Sequence, residues 1–223
     1  MGSYEDTISV LAAELATVER VFAGLSDDQW RLPTKLVPVD PDLPHWTVFE
    51  LAGHFDIAIG LTRMLIAGRD ASQPARDRTS FFINPRSETG PVVYDYAYTM
   101  VQGKTPADMP GALHETFSKT VAEARAVPAG TVGPGYFAPM RADEFVASRI
   151  VEAVVHGIDL TQALGQDNIA TAEGIAATAA ILDDLLARRT VPGRPPELSN
   201  DLEWILAASG RAESTDNRLP LIG

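Results

Sequence analysis

Apolar residues recur at helical spacing over four long stretches of the 223-residue chain, with proline- and glycine-rich loops between them. In the first stretch Ile8, Leu11, Leu15, Val18 and Phe22 share one face, which predicts a helix from about Tyr4 to Leu25. Ser26, Asp27 and Asp28 interrupt it, and a proline-rich loop leads on to Trp46. Thr47 followed by Glu50 forms a capping box, so a second helix is expected to start there. It is expected to run to Ala67 and to end at Gly68, a residue that tolerates the left-handed cap conformation. Apart from Glu50, His54, Asp56, Thr62 and Arg63 this helix is apolar on nearly every side, the mark of a central, mostly buried element.

Residues 69–104 are rich in Arg, Asp, Ser, Pro and Gly and then aromatic at Tyr94, Tyr96 and Tyr98. They read as a long loop, a functional or mobile segment inside a compact domain. The tyrosines fit either a pocket mouth or a short extended segment packed on the bundle. A third helix is predicted from about Pro106 to Val127, with Leu113, Phe117 and Val121 inward. A fourth is predicted from about Asp143 to Leu164, stopping at Gly165. An Ala-rich helix from Thr171 to Arg189 and a short one ending near Gly210 follow. There is no internal repeat and no run of strand-like alternation. The expected architecture is all-α, a four-helix bundle with one or two extra C-terminal helices. Its expected division is a bundle over residues 1–190 and a short C-terminal extension, residues 191–223, packed on it.

Charge narrows the partners. A formal net charge of −12 argues against nucleic acid and against an anionic membrane surface, since both require clustered Lys and Arg. No stretch approaches the length of an apolar membrane span. The N-terminus MGSYEDTISV has no basic segment leading into an apolar run, so no signal peptide is expected and the cytoplasm is the expected location. The chain has no cysteine, which excludes a disulfide framework, a thiolate metal site and a cysteine nucleophile. Thiol chemistry here would use a thiol from outside.

Candidate chemistry lies in RIVEAVVHGIDL, residues 149–160. Arg149, Glu152, His156 and Asp159 fall within an arc of roughly 80° on a helix. That pattern fits the wet face of an amphipathic helix. It can also fit a metal face, because residues four apart project side by side, so Glu152 and His156 could hold one ion. A third ligand must come from elsewhere, and the chain has 4 histidines. His45 sits in a loop, and His114, beside Glu115, reads as a surface residue. His54 shares an arc with Ile57, Leu61 and Leu65 on the mostly apolar helix, and a buried imidazole needs a partner for each nitrogen. It is either a satisfied core histidine or a ligand. With Glu152 and His156 it would complete a two-His, one-carboxylate set suited first to zinc, and also to nickel, iron or manganese. Asp159 fits either an acceptor for a ligand imidazole or a surface carboxylate. Arg149 fits a structural pairing with Glu152 better than contact with an anionic substrate.

Two blocks carry a resemblance. WTVFELAGHFD (Trp46 to Asp56) resembles the motif in which a Trp-Thr-Val helix start leads to a ligand histidine. GYFAPMRADEFVASRIVEAVVHGIDLTQALG (Gly135 to Gly165) resembles the block Arg-x-x-Glu-x-x-x-His-Gly-x-Asp ending in Ala-Leu-Gly. Both belong to the DinB-like metal-binding superfamily, in its mycothiol-dependent maleylpyruvate isomerase-like branch. The resemblance covers roughly residues 5–190. It implies a DinB-like four-helix bundle, His54, Glu152 and His156 as metal ligands, and mycothiol as the thiol. It implies a metal-held thiolate that attacks an electrophilic small molecule. In an isomerase the thiolate adds to a conjugated double bond, the adduct rotates and the thiol leaves; in an S-transferase the adduct is released. Full-length isomerases of the family carry a further C-terminal α/β domain, for which residues 191–223 are too short, so maleylpyruvate itself is not the expected substrate. Trp204 and the Gly210–Arg211 end resemble the family's tail. Two other readings share the triad: a metal-dependent hydrolase of the same fold, and a bundle that binds metal or ligand without turnover. A homodimer is left open.

Overall fold

The computed structural model describes residues 2–38, 40–68, 73–84 and 86–222, without the side chains of residues 65–67 and 86. Helix α1 (Tyr4–Ala23) is closed at its start by a capping box between Ser3 and Asp6. The short α2 (Asp27–Trp30) repeats the device with Ser26 and Gln29. In α3 (Val48–Ala67) the Thr47 and Glu50 box is in place: the Thr47 backbone N–H donates to Glu50 Oε2 at 2.8 Å, and the Phe49 N–H donates to Thr47 Oγ1 at 3.2 Å. Gly68, however, ends α3 in an extended conformation (φ −67°, ψ 123°) and not in the left-handed cap expected of it. It packs against the Pro134 ring, which a Cβ at Gly68 would meet at 3.0 Å.

The largest departure from the expected layout lies in residues 69–104. Residues 69–72 and 85 are outside the described residues, but much of the rest is helical. A 3-10 turn (Ser80–Ile83) is followed by helix α4 (Arg86–Val101), which packs along α3. Pro91 within α4 removes a backbone donor, and the helix shows little separation of apolar and polar faces. Its support is tertiary. At Gly53 the two helices touch backbone to backbone: a Cβ there would lie 2.5 Å from the Ala97 carbonyl oxygen and 2.7 Å from Val101 Cγ1. Tyr94, Tyr96 and Tyr98 are therefore helical, not extended.

A 3-10 turn (Pro106–Asp108) leads into α5 (Met109–Ala126). A two-stranded antiparallel ribbon, β1 (Val132–Gly133) with β2 (Met140–Arg141), then delivers the chain to α6 (Ala142–Leu164). Gly165 stops α6 in the left-handed conformation, φ +64°. Helix α7 (Ala172–Arg189), capped by Thr171, and α8 (Asp201–Ala208), capped by Asn200, complete the chain.

Helices α1, α3, α5 and α6 form the bundle, and α7 and α8 pack on one another beside α6. Its core joins Leu11, Leu15 and Phe22 of α1 to Leu51 and Phe55 of α3, Leu113 and Phe117 of α5 and Phe145, Ile150 and Val154 of α6. Each such side chain removed from water contributes about 1.5–3 kcal/mol. Helix α6 is buried almost all round, Arg149 and Asp159 included. The stripe of polar residues on it is therefore not a wet face.

Candidate metal centre

Burial at the middle of α3 and α6 brings three side chains together. His54 on α3 is 6% exposed, and on α6 one helical turn separates Glu152 from His156. His54 Nε2 lies 3.6 Å and His156 Nε2 3.3 Å from Glu152 Oε2. The two imidazoles meet edge to face with centroids 4.4 Å apart. One ligand atom from each residue lies within 4.8 Å of the other two. Four-coordinate zinc with bonds near 2.0–2.2 Å sets neighbouring ligand atoms roughly 3.3–3.5 Å apart, so this spacing fits such an ion.

The hydrogen bonding points the same way. Both ring nitrogens of His54 are buried without a hydrogen-bond partner among the described residues. A buried polar atom left unpaired costs about 1–3 kcal/mol, and a satisfied core histidine would not carry two. The donor set, two imidazoles and a carboxylate, suits a divalent ion of the zinc group. Of the other histidines, His114 lies on the surface, 2.7 Å from Glu19, and His45 is exposed in its loop.

Electrostatics favour the ligating forms of Glu152 and His54 and hold a proton on His156. Burial alone would raise the Glu152 carboxyl, but the Arg149 charge and contacts from both imidazoles outweigh it and hold the group well below its ordinary value. Burial, and then the charge of His156, lowers His54. For His156, burial lowers the value, but Asp159 and Glu152 outweigh that and raise it. Asp159, 2% exposed, sits 2.8 Å from His156 Nδ1 through Oδ2. Asp159 is thus the acceptor for the imidazole and not a surface carboxylate. Burial would raise its carboxyl too, but Arg211 and His156 bring it down to about 2.

Arg149 takes the structural role. It is buried, lies 3.7 Å from Glu152, donates to Ser148 Oγ from Nε (3.2 Å) and Nη2 (3.1 Å), and is held over the rings of Phe81 and Phe145. Sequence reasoning placed Arg211 in a family-like tail but missed its partner: its Nε and Nη2 donate to the two oxygens of Asp159 at 3.0 and 2.8 Å. The residues lie 52 apart in sequence, and no local pattern joins them.

The cluster opens into a cavity of about 500 Å³. Its walls are mainly apolar: Ile57 and Leu61 of α3, Phe81, Val93 and Phe137 are among them. The Leu65 side chain, expected on the same arc, lies outside the described residues. Tyr94 and Tyr96 line the cavity, as one of the two readings of the tyrosines had it. Trp46 lies between His54 and Tyr94, with ring centroids 5.2 and 6.1 Å away, and its buried Nε1 has no hydrogen-bond partner among the described residues. Arg189, Arg211 and Leu221 reach the cavity from α7 and the tail.

Fold and site together define a helical bundle whose two central helices share a cluster able to hold a metal ion. Residues 11–161 match the family described as the mycothiol maleylpyruvate isomerase N-terminal domain, and the chain belongs to that family. Among curated proteins it is similar to an uncharacterized protein found in two strains of Mycobacterium tuberculosis, 28% identical over 159 residues. That match takes in 71% of this chain and 56% of the relative, so the chain spans about half the length of the curated relatives it matches. Among solved structures it is similar to the mycothiol-dependent maleylpyruvate isomerase (TM-score 0.58, 13% identity, 83% of this chain and 70% of that one). A histidine-to-alanine mutant of that enzyme gives the same TM-score and identity, over 85% of this chain and 73% of the other. At that identity the likeness shows the fold.

Proposed function

We propose that the chain is a divalent-metal- and mycothiol-dependent isomerase or S-transferase that acts on an electrophilic small molecule. His54, Glu152 and His156 would hold the metal, with zinc as the first candidate. The observation that carries this reading is buried His54, whose Nε2 has no hydrogen-bond partner among the described residues and lies 3.6 Å from the Glu152 carboxylate, with a second imidazole against its ring and an apolar cavity alongside. The family match supports the thiol and the reaction class.

A bound divalent ion supplies Lewis acidity and makes an incoming thiol a stronger acid near neutral pH. The protein's own residues do the rest. Asp159 would accept a hydrogen bond from the Nδ1–H of His156, leaving Nε2 to ligate. Arg149 balances the charge of Glu152 inside the core. With no cysteine in the chain, the nucleophile arrives with the cofactor. The aromatic and aliphatic walls strip water from the thiol and the electrophile, which favours attack by sulfur over hydrolysis.

The test is calorimetry of the zinc-loaded protein with mycothiol, followed by electrophile turnover with and without the thiol. Saturable heat and thiol-dependent turnover are expected. No heat at millimolar mycothiol removes the thiol from the proposal, and turnover that needs only water replaces it with a hydrolase.

A further inference from the structure

The tail reaches the metal centre through one side chain. After α8 the chain turns at Gly210 (φ +73°), and the Arg211 backbone N–H donates to the Leu206 carbonyl at 2.7 Å. The helix it leaves is anchored by Trp204 and Ile205, both fully buried. Leu221 and Ile222 return to donate their backbone N–H groups to the Ala208 carbonyl at 2.7 and 3.1 Å. Arg211 is thus held at its backbone, and Nη1 is fixed as well, donating to the Ser209 carbonyl at 2.6 Å. Two of its remaining donors form a fork on Asp159, and Asp159 Oδ2 is the same oxygen that faces His156 Nδ1.

We propose that Arg211 is a positioning residue of the metal centre, acting on His156 through Asp159, so that the segment after α7 is a working part of the site. The inference rests on the metal-binding reading above. A carboxylate free to turn about its Cβ–Cγ bond can present either oxygen, or neither, to a neighbouring ring. Two parallel N–H···O bonds from a planar guanidinium fix its plane as well as its place. With the plane fixed, Oδ2 holds the Nδ1 proton, and the Nε2 lone pair points at Glu152 and His54. Arg211 and Asp159 are 9% and 2% exposed at their side chains, so little solvent competes for the fork. A lysine in this place could donate to one oxygen but could not set the plane.

A plain tether between α8 and α6 would look similar in a static structure but behaves differently. The test is zinc competition titration on the full chain with Arg211→Ala, Arg211→Lys, Asp159→Ala and the double variant Arg211→Ala/Asp159→Ala. Nitrogen NMR of the histidine ring, in the metal-free protein, reads the His156 tautomer alongside. Loss of an outer partner of a ligand histidine typically weakens metal binding about 10–100-fold, and Arg211→Ala is expected at the lower end. Arg211→Lys should fall between wild type and Arg211→Ala, and the double variant should bind zinc no more weakly than Asp159→Ala alone. The His156 signals of Arg211→Ala should show loss of the single Nδ1–H tautomer. Zinc affinity and tautomer unchanged in Arg211→Ala, with only the melting temperature lowered, would leave a tether and overturn the proposal. So would losses that simply add in the double variant. If Arg211→Ala does not fold, Arg211→Lys decides: a normal melting temperature with wild-type affinity overturns the proposal. Wild-type protein that binds no zinc overturns the metal reading first and this inference with it.

Discussion

His54 and Asp56 sit two residues apart on α3, 6% and 7% exposed, and about 200° apart around the helix. Asp56 faces the loop before α5 and α5 itself, where both its oxygens are filled. Lys104 Nζ donates to Oδ2 at 3.0 Å and Thr116 Oγ1 to Oδ1 at 2.6 Å. His54 presents Nε2 to Glu152 of α6, and neither of its nitrogens has a hydrogen-bond partner among the described residues. The same helix thus buries one polar group whose bonding is complete and one whose bonding is open. Complete bonding holds neighbouring elements in place. Open bonding destabilises the protein until something arrives to close it. Burial was common to both residues; what separates a structural polar group from a binding one is whether the fold has already supplied its partners.

The largest effect should follow from removing the open side. His54→Ala or His156→Ala is expected to weaken zinc binding by more than the roughly 100-fold seen for outer partners, since a ligand itself is lost. Competition titration reads this, and wild-type affinity in either variant would end the metal assignment. The complementary change is Asp56→Ala, expected to lower stability by about 2–3 kcal/mol because two charge-assisted hydrogen bonds go. The figure is kept modest because Lys104, 30% exposed at its side chain, can turn to water. Denaturant unfolding measures it, with zinc affinity expected to stay within about twofold; a large drop in affinity would mean the two faces of α3 are not independent.

Gly53→Ala comes next. The added methyl would press on the Ala97 carbonyl and Val101, so α4 must shift, at an expected loss of about 1–2 kcal/mol. Ligand binding in the cavity should change while zinc affinity holds. Smallest is the acid response of a second completed pair, Glu144 with Arg78, at 2.6–2.9 Å over three contacts. Burial would raise Glu144, but the bonds and charge of Arg78 prevail and lower it below the usual 4.5. Its contribution is therefore fully present above pH 4.5 and is lost as pH falls through the lower, folded-state value. Melting curves of Glu144→Gln against wild type between those limits should converge at the acid end. Curves that stay parallel would show that the pair carries no such linkage.

The bundle could be read from the sequence where local rules and burial agree. Thr47 with Glu50, and Gly165 after Leu164, mark helix ends by chemistry that acts within four residues. The residues of the triad were legible as candidates for the same reason, since Glu152 and His156 share a turn and His54 stands alone on an apolar helix. Helix α4 was not legible, because a segment with three tyrosines, Pro91 and little amphipathic pattern helps itself very little; its partner is the bare backbone at Gly53. Gly68 was misread as well: it ends α3 against Pro134, far along the chain, a contact no local pattern announces. Arg211 is the extreme case: its meaning depends entirely on a carboxylate on another helix.

Gly53 has a consequence for descent. It stands immediately before His54, yet the surface it governs is the seat of α4, the helix that carries Tyr94 and Tyr96 into the cavity. A lineage that gained or lost one methyl group there would alter the shape of its pocket in a single mutational step while passing on the three metal-side residues unchanged. Inheritance of the chemistry and innovation in what it acts upon are thereby assigned to adjacent codons.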